Sequence, residues 1–230
     1  MVKIYGYELA QKIDLTLLKP EASRNDIIKL CKNAKKFGFI AVCVNPVWVP
    51  LASTLLKNTG VKVCSVVGFP FGANLTEVKT FEAKRVVQMG AKEVDVVINV
   101  GALKSKNYDL VKEDLASVVK VVLKEGGETV KAILEVGLLT PKERKIICQI
   151  VKEAKAHYVK TGTGFHSKVT AKDVKVLRKI VGDSLKIKAA GGVRSYREVL
   201  ALLDAGADRI GASLGVEIVL ESIKVAKAKS

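Results

Sequence analysis

The sequence has little aromatic residue and little cysteine. Phe, Tyr and Trp together make up 5% of 230 residues. That is too sparse for the stacking platforms that hold unpaired bases. Only four cysteines occur, Cys31, Cys43, Cys64 and Cys148, and none forms a C-x-x-C pair. A disulfide-stapled secreted module is excluded, and a reducing intracellular setting is expected. The two histidines, His157 and His166, belong to no cluster with metal-ligand spacing, so no metal and no cofactor are expected. No apolar run approaches the roughly 20 residues that span a bilayer. The opening MVKIYGYELAQK has no apolar signal core. A cytoplasmic location without membrane contact is expected.

Charge of one sign is in excess. Lys plus Arg number 39 against 23 Asp plus Glu, a formal net charge of +16. Such an excess suits nucleic acid, anionic lipid or a small anionic substrate. Lys outnumbers Arg 32 to 7, and many lysines are scattered along helical segments, as at Lys29, Lys32, Lys35, Lys36, Lys120 and Lys124. That pattern belongs to solvated helix faces. The one local cluster is the tail, Lys224 to Lys229. The 49% hydrophobic content argues against disorder. The length suits one domain over 1–230.

Short strand-like runs alternate with segments of helical period. The runs are Ile13–Leu18, Ala41–Asn45, Val63–Val67, Val94–Asn99, Ala132–Val136, Tyr158–Thr161, Leu185–Ala190 and Arg209–Ser213. Most are rich in Val, Ile or Leu, as expected where both faces of a sheet are covered. Apolar stripes predict helices over Asn25–Lys36, Leu75–Met89 and Leu110–Leu123. The Leu75–Met89 stripe is Val78, Phe81, Val86 and Met89, with Lys79 off its centre. Thr140-Pro141-Lys142-Glu143 reads as a capping box with Pro at the first helical position. Thr170 with Asp173, and Ser195 with Glu198, follow the same logic. Eight βα units without a linker predict a single-domain α/β (β/α)₈ TIM barrel. A doubly wound open sheet is the alternative, but the phosphate loop expected after its first strand is missing.

Side chains alternate along a strand, so in a barrel one parity points inward. Polar residues fall on one parity in run after run. Asp14 and Thr16 share a face, as do Cys43 and Asn45. Asp95 and Asn99, Glu135, Lys160, and Lys186 with Lys188 follow. Asp14, Thr16, Asp95, Glu135, Lys160 and Lys188 are thus candidates to converge inside the barrel. Buried charges are costly unless paired or functional; a purely structural ion network is the other reading. Lys160 and Lys188 lie near the ends of neighbouring strands. Two close ammoniums disfavour each other's charge, and a neutral amine is what Schiff-base chemistry requires. Asp95 is placed to move protons.

Two glycine-rich turns precede helices, Gly191-Gly192 and Gly211-Ala-Ser213-Leu-Gly215. Backbone N–H groups there can cradle an anion, and barrels hold phosphate after strands seven and eight. Arg194 would add charge. Tight turning alone is the alternative. His157 takes the helix-facing parity and should pack, as should Trp48. His166 lies in the loop after Lys160 and is a weaker candidate for substrate contact.

Residues along nearly the whole chain resemble the deoxyribose-phosphate aldolase family of class I aldolases. They are Ile13-Asp-Leu-Thr-Leu-Leu-Lys-Pro20, Cys43-Val-Asn-Pro46, Val66-Val-Gly-Phe-Pro-Phe-Gly72, Glu93 to Lys104, Val159-Lys-Thr-Gly-Thr-Gly-Phe165 and Lys188-Ala-Ala-Gly-Gly-Val-Arg194. The resemblance implies a barrel that reversibly cleaves 2-deoxy-D-ribose 5-phosphate to D-glyceraldehyde 3-phosphate and acetaldehyde. It implies Lys160 as Schiff-base lysine, Lys188 as its perturber and Asp95 as proton carrier. The substrate-binding set expected is Asp14, Thr16, Cys43, Thr161, Gly191, Gly192, Arg194, Gly211 and Ser213. It also implies a homodimer or homotetramer acting on a small phosphorylated sugar, without nucleic acid. The sequence departs from the family at Gly162 and Leu214, where many members have Ser, and at His157, where many have Asp. Another Schiff-base aldolase, a phospho-sugar isomerase and a basic nucleic-acid-binding protein remain as rivals.

Overall fold

A computed structural model describes residues 3–228; Lys229 of the basic tail lies outside them. Eight parallel strands close into a barrel in sequence order. They are β1 (Ile13–Leu17), β2 (Ala41–Val44), β3 (Lys62–Val67), β4 (Glu93–Val97), β5 (Thr129–Ile133), β6 (Tyr158–Lys160), β7 (Lys186–Ala190) and β8 (Arg209–Ala212). The helices are α1 (Gly6–Ala10), α2 (Arg24–Phe37), α3 (Val49–Leu56), α4 (Thr76–Gln88) and α5 (Val100–Lys104). They continue with α6 (Tyr108–Lys124), α7 (Pro141–Glu153), α8 (Ala171–Val181), α9 (Tyr196–Asp204) and α10 (Gly215–Lys227). No described helix is long and apolar enough to cross a membrane.

Local sequence explains the boundaries. Thr140 and Thr170 cap α7 and α8 reciprocally with Glu143 and Asp173, and Pro141 opens α7. Ser195 caps α9, but Glu198 returns its carboxylate to the Arg194 N–H instead of closing the box. Ser23 and Asp26 form another box at α2. Each cap satisfies amides that the helix start leaves unpaired.

One large apolar layer lies between the barrel and its helices. Ile13, Leu15, Val42, Val44, Val94, Val96, Val159 and Ile187 face it, as the parity argument requires. Inside the barrel the only apolar cluster among the described residues joins Cys43, Cys64 and Val66, with Leu18 and Phe69 beside it. Barrel interiors are usually filled with branched apolar residues; this one is largely ionic.

Two elements differ from expectation. In α4 the stripe is rotated. Val78 and Phe81 are exposed, whereas Lys79 is fully buried with Ala83, Val86 and Val87. The Lys79 Nζ donates to Asp114 Oδ2 of α6 and to the Val97 carbonyl. A partner 35 residues away thus turned a charged residue inward. The fifth strand ends at Ile133, earlier than the run Ala132–Val136 suggests. Lys131 and Ile133 share its inward parity within the ladder, and Glu135 lies beyond them in a left-handed conformation.

Candidate active site

The barrel register sets the inward charges side by side. Asp95 pairs with Lys131, Ile133 with Lys160, Lys160 with Lys188, and Lys188 with Arg209. Lys186, expected to share the inward face, is exposed at the start of β7, where its ammonium lies over the Tyr158 ring.

Asp95 is the hub. Its Oδ2 accepts from Lys160 Nζ at 2.9 Å and Lys188 Nζ at 2.7 Å. Its Oδ1 accepts from Lys131 Nζ at 2.9 Å and Cys64 Sγ at 3.2 Å. Lys188 also donates to Asp14 Oδ2. Asp14 Oδ1 takes Arg209 at 2.7 Å. Glu93 takes Lys131 at 2.6 Å and Arg209 at 3.5 Å. Four cations therefore meet three carboxylates, all of them buried. Burial alone would push the Asp95 carboxyl up. The ammoniums of Lys131, Lys160 and Lys188 outweigh it and hold Asp95 well below the usual carboxylate range. For Lys188, burial opposes the charge, but Asp14 and Asp95 hold it above the ordinary lysine value. Asp14 is likewise low, and Lys131 and Arg209 high.

The two lysines come together as expected, but not facing each other in isolation. The Asp95 carboxylate lies between them and receives both. Three network members, Lys131, Glu93 and Arg209, were missed. The signal was available: each stands on the inward parity, two residues before Ile133, Asp95 and Gly211, with Glu93 and Arg209 opening β4 and β8.

A cavity of about 440 Å³ opens above this network. Lys160 is the one network amine in its wall. Thr16, Gly191, Gly192, Gly211 and Ser213 line it as expected, with Leu17, Leu18, Phe69, Thr163, Gly164 and Phe165. The Phe69 and Phe165 rings meet edge to face at 5.6 Å. Gly191 and Gly192 have φ of +117° and +71°, which favours glycine. Leu214, at the N-cap of α10, makes no side-chain hydrogen bond to the first amides of the helix.

Four expected binding residues do not reach this wall. The Asp14 carboxylate is taken up by Lys188 and Arg209 beneath it. Cys43 is fully buried, and a hydrogen bond with Cys64 draws its thiol below the ordinary value. The Thr161 hydroxyl donates to the Ala190 carbonyl and accepts from the Ala190 N–H. Arg194 is exposed and outside the cavity lining. Asn99 and Asn45 also left the inward set. Asn99 caps α5, and Asn45 donates to the Leu18 carbonyl. His157 accepts from the Val130 N–H, a packing role. His166 is exposed and outside the cavity lining.

Among the described residues, two buried groups bring metal-ligating atoms together: Cys43, Cys64 and Asp95, and Asp14, Cys64 and Glu93. The Lys131 ammonium already lies 2.6 Å from Glu93, 2.9 Å from Asp95 and 3.5 Å from Cys64. It supplies the positive charge that a metal would bring.

Comparison with known proteins agrees with this architecture. Residues 9–222 match the model of the DeoC/LacD family aldolases. A deoxyribose-phosphate aldolase of Thermococcus kodakarensis is 54% identical over 215 residues, covering 92% of this chain and 96% of that protein. A solved aldolase superposes with a TM-score of 0.92 at 37% identity, covering 97% of this chain and 99% of its own. A tetrameric deoxyribose phosphate aldolase from Aeropyrum pernix gives 0.87 at 34% identity, covering 97% and 93%. With a closed eight-stranded barrel, a lysine pair on one aspartate and a family match across nearly its whole length, the chain belongs to the DeoC/LacD family of aldolases.

Proposed function

We propose that this chain is a class I aldolase that reversibly cleaves 2-deoxy-D-ribose 5-phosphate to D-glyceraldehyde 3-phosphate and acetaldehyde, with Lys160 as the Schiff-base residue. The observation that carries the reading is that Lys160 alone joins the buried network to the cavity wall. As a free amine, Lys160 leaves three cations matched to three carboxylates.

The Lys160 amine adds to the C1 aldehyde, and loss of water gives the iminium. The C3 hydroxyl gives up its proton, the C2–C3 bond breaks, and its electrons flow to the iminium nitrogen. Glyceraldehyde 3-phosphate leaves. The remaining enamine is protonated at C2, and water hydrolyses the new iminium to acetaldehyde and the amine. The iminium is itself the electron sink, so the reaction needs no cofactor. Asp95, 2.9 Å from the reacting nitrogen, carries protons through water. Lys188 keeps Asp95 anionic and in place. Gly191, Gly192, Gly211 and Ser213 supply the phosphate end of the cavity, and Thr16 presents a hydroxyl oxygen along its side. Asp14 supports Lys188 from below.

The same reading makes the protein a cytoplasmic enzyme with a small phosphorylated sugar, not nucleic acid, as partner, since the functional lysines point into the barrel. A homodimer or homotetramer accords with the exposed Phe71, Leu75, Val78 and Phe81 around the start of α4. Borohydride reduction in the presence of acetaldehyde, followed by peptide mass spectrometry, tests the chemistry. An ethyl group on Lys160, absent from Lys160→Ala, is expected. Folded protein with no adduct at Lys160 refutes the proposal, and an isomerase working through an enediol would form none.

A further inference from the structure

Glu135 is held in an unfavourable state at a place where it does not touch the cavity. Its backbone is left-handed, with φ +53° and ψ +60°, a conformation disfavoured for residues other than Gly, Asn and Asp. The residue is 2% exposed, and no cation is among its hydrogen-bond partners within the described residues. One oxygen, Oε1, is buried and without a hydrogen-bond partner among the described residues. The same oxygen would stand 2.6 Å from a Cβ at position 162, so a side chain there would push it aside. A left-handed backbone and a half-satisfied buried carboxylate meet beside a glycine two residues from Lys160. Such features persist where position matters to function.

The other oxygen shows what is held. Glu135 Oε2 accepts both the Thr163 N–H, at 3.1 Å, and the Thr163 hydroxyl, at 2.5 Å. Thr163 Oγ1 accepts in turn from the Phe165 N–H at 3.1 Å. Thr163 lines the cavity with Lys160. A hydroxyl has one hydrogen and two lone pairs. Here the hydrogen goes to Glu135 and one lone pair to Phe165. A single lone pair remains for the cavity. Thr163 can accept a hydrogen bond from a substrate hydroxyl, and it has no hydrogen left for a carbonyl or phosphate oxygen.

We infer that Glu135 is a positioning residue that fixes Thr163 as an acceptor for the hydroxyl next to the carbonyl of the acceptor aldehyde. The enzyme thereby selects 2-hydroxyaldehydes over aldehydes lacking that group. This inference rests on the Schiff-base reading of Lys160.

The test uses acetaldehyde as donor and two acceptors, glyceraldehyde 3-phosphate and its 2-deoxy analogue 3-phosphopropanal. Glu135→Asn tolerates the left-handed backbone but is one carbon too short to reach Thr163. Glu135→Gln keeps the reach and an acceptor oxygen. Losing one neutral hydrogen bond should lower kcat/KM of Glu135→Asn about tenfold with the hydroxylated acceptor and less than about threefold with the deoxy one. Glu135→Gln should recover the hydroxylated reaction to within about threefold of the parent. Thr163→Val should reproduce the selective loss, and the double variant Glu135→Asn/Thr163→Val should lose no more. Equal loss with both acceptors, or no loss with either, overturns the inference. If Glu135→Asn fails to fold by circular dichroism, Thr163→Val decides by the same comparison. Borohydride trapping at Lys160 should persist in every folded variant. A parent enzyme that is not trapped overturns the Schiff-base reading, and this inference with it.

Discussion

Asp95→Asn preserves shape and removes one charge from the centre of the barrel. Both Asp95 oxygens face ammonium groups: Oδ1 meets Lys131, and Oδ2 meets Lys160 and Lys188. An asparagine amide has one acceptor and one donor end, so either orientation points its NH₂ at a lysine. Four cations then face only Asp14 and Glu93. Removing one partner of a buried ion pair costs about 3–5 kcal/mol. At about 2–4 °C per kcal/mol for a chain of this size, the melting temperature should fall by roughly 6–20 °C. Lys131 and Lys188 are held above the ordinary lysine value, partly by this carboxylate. Without it their folded-state values fall, so the deficit should shrink as pH rises towards about 10, where these lysines can lose their protons. Thermal unfolding followed by circular dichroism from neutral to alkaline pH measures both effects. Loss of activity with a melting temperature within about 2 °C of the parent at neutral pH would refute the claim that Asp95 holds the network together.

Lys160→Met should abolish activity yet change stability by less than about 1 kcal/mol, because the remaining three cations match three carboxylates; kinetics and thermal unfolding separate the two effects. Asp14 and Asp95 are held below their unfolded-state values. Their stabilisation is therefore present above about pH 4 and lost as pH falls below it; melting temperature against pH should show the drop, flattened in Asp95→Asn. Burial pushes Lys79 down and Asp114 up, so Lys79→Met should cost about 3 kcal/mol by stranding a buried carboxylate. In urea unfolding, Lys79→Met/Asp114→Leu should regain most of that. Arg194→Ala should leave kcat/KM for 2-deoxyribose 5-phosphate within about threefold, as expected for an exposed charge outside the cavity.

The site was legible where strand periodicity carried it. Asp14, Thr16, Asp95, Lys160 and Lys188 alternate with residues of the outer layer, and each points inward as parity requires. The reading failed where a strand ended early or where a partner lay far along the chain. At β5 the run Ala132–Val136 begins one residue after Lys131 and extends past the ladder, so it leaves Lys131 out, and Glu135, on the same parity, lies beyond the last paired residue and turns to Thr163. In α4 the stripe through Val78 and Phe81 looked like core. The buried face is instead set by Lys79 and by Asp114 on a different helix.

Local sequence by itself determined the alternation of strands and helices, their caps, and the inward parity of the lysines. These depend on spacing within a few residues, where the physics is local. Only the closed barrel decided the rest. Asp95 lies between Lys160 and Lys188, Arg209 and Lys131 complete the charge balance, Asp14 and Cys43 are buried beneath the cavity, and Thr161 is tied to the Ala190 backbone. Those outcomes depend on the register between strands and on the depth of each side chain along the barrel axis. A linear pattern of residues carries neither.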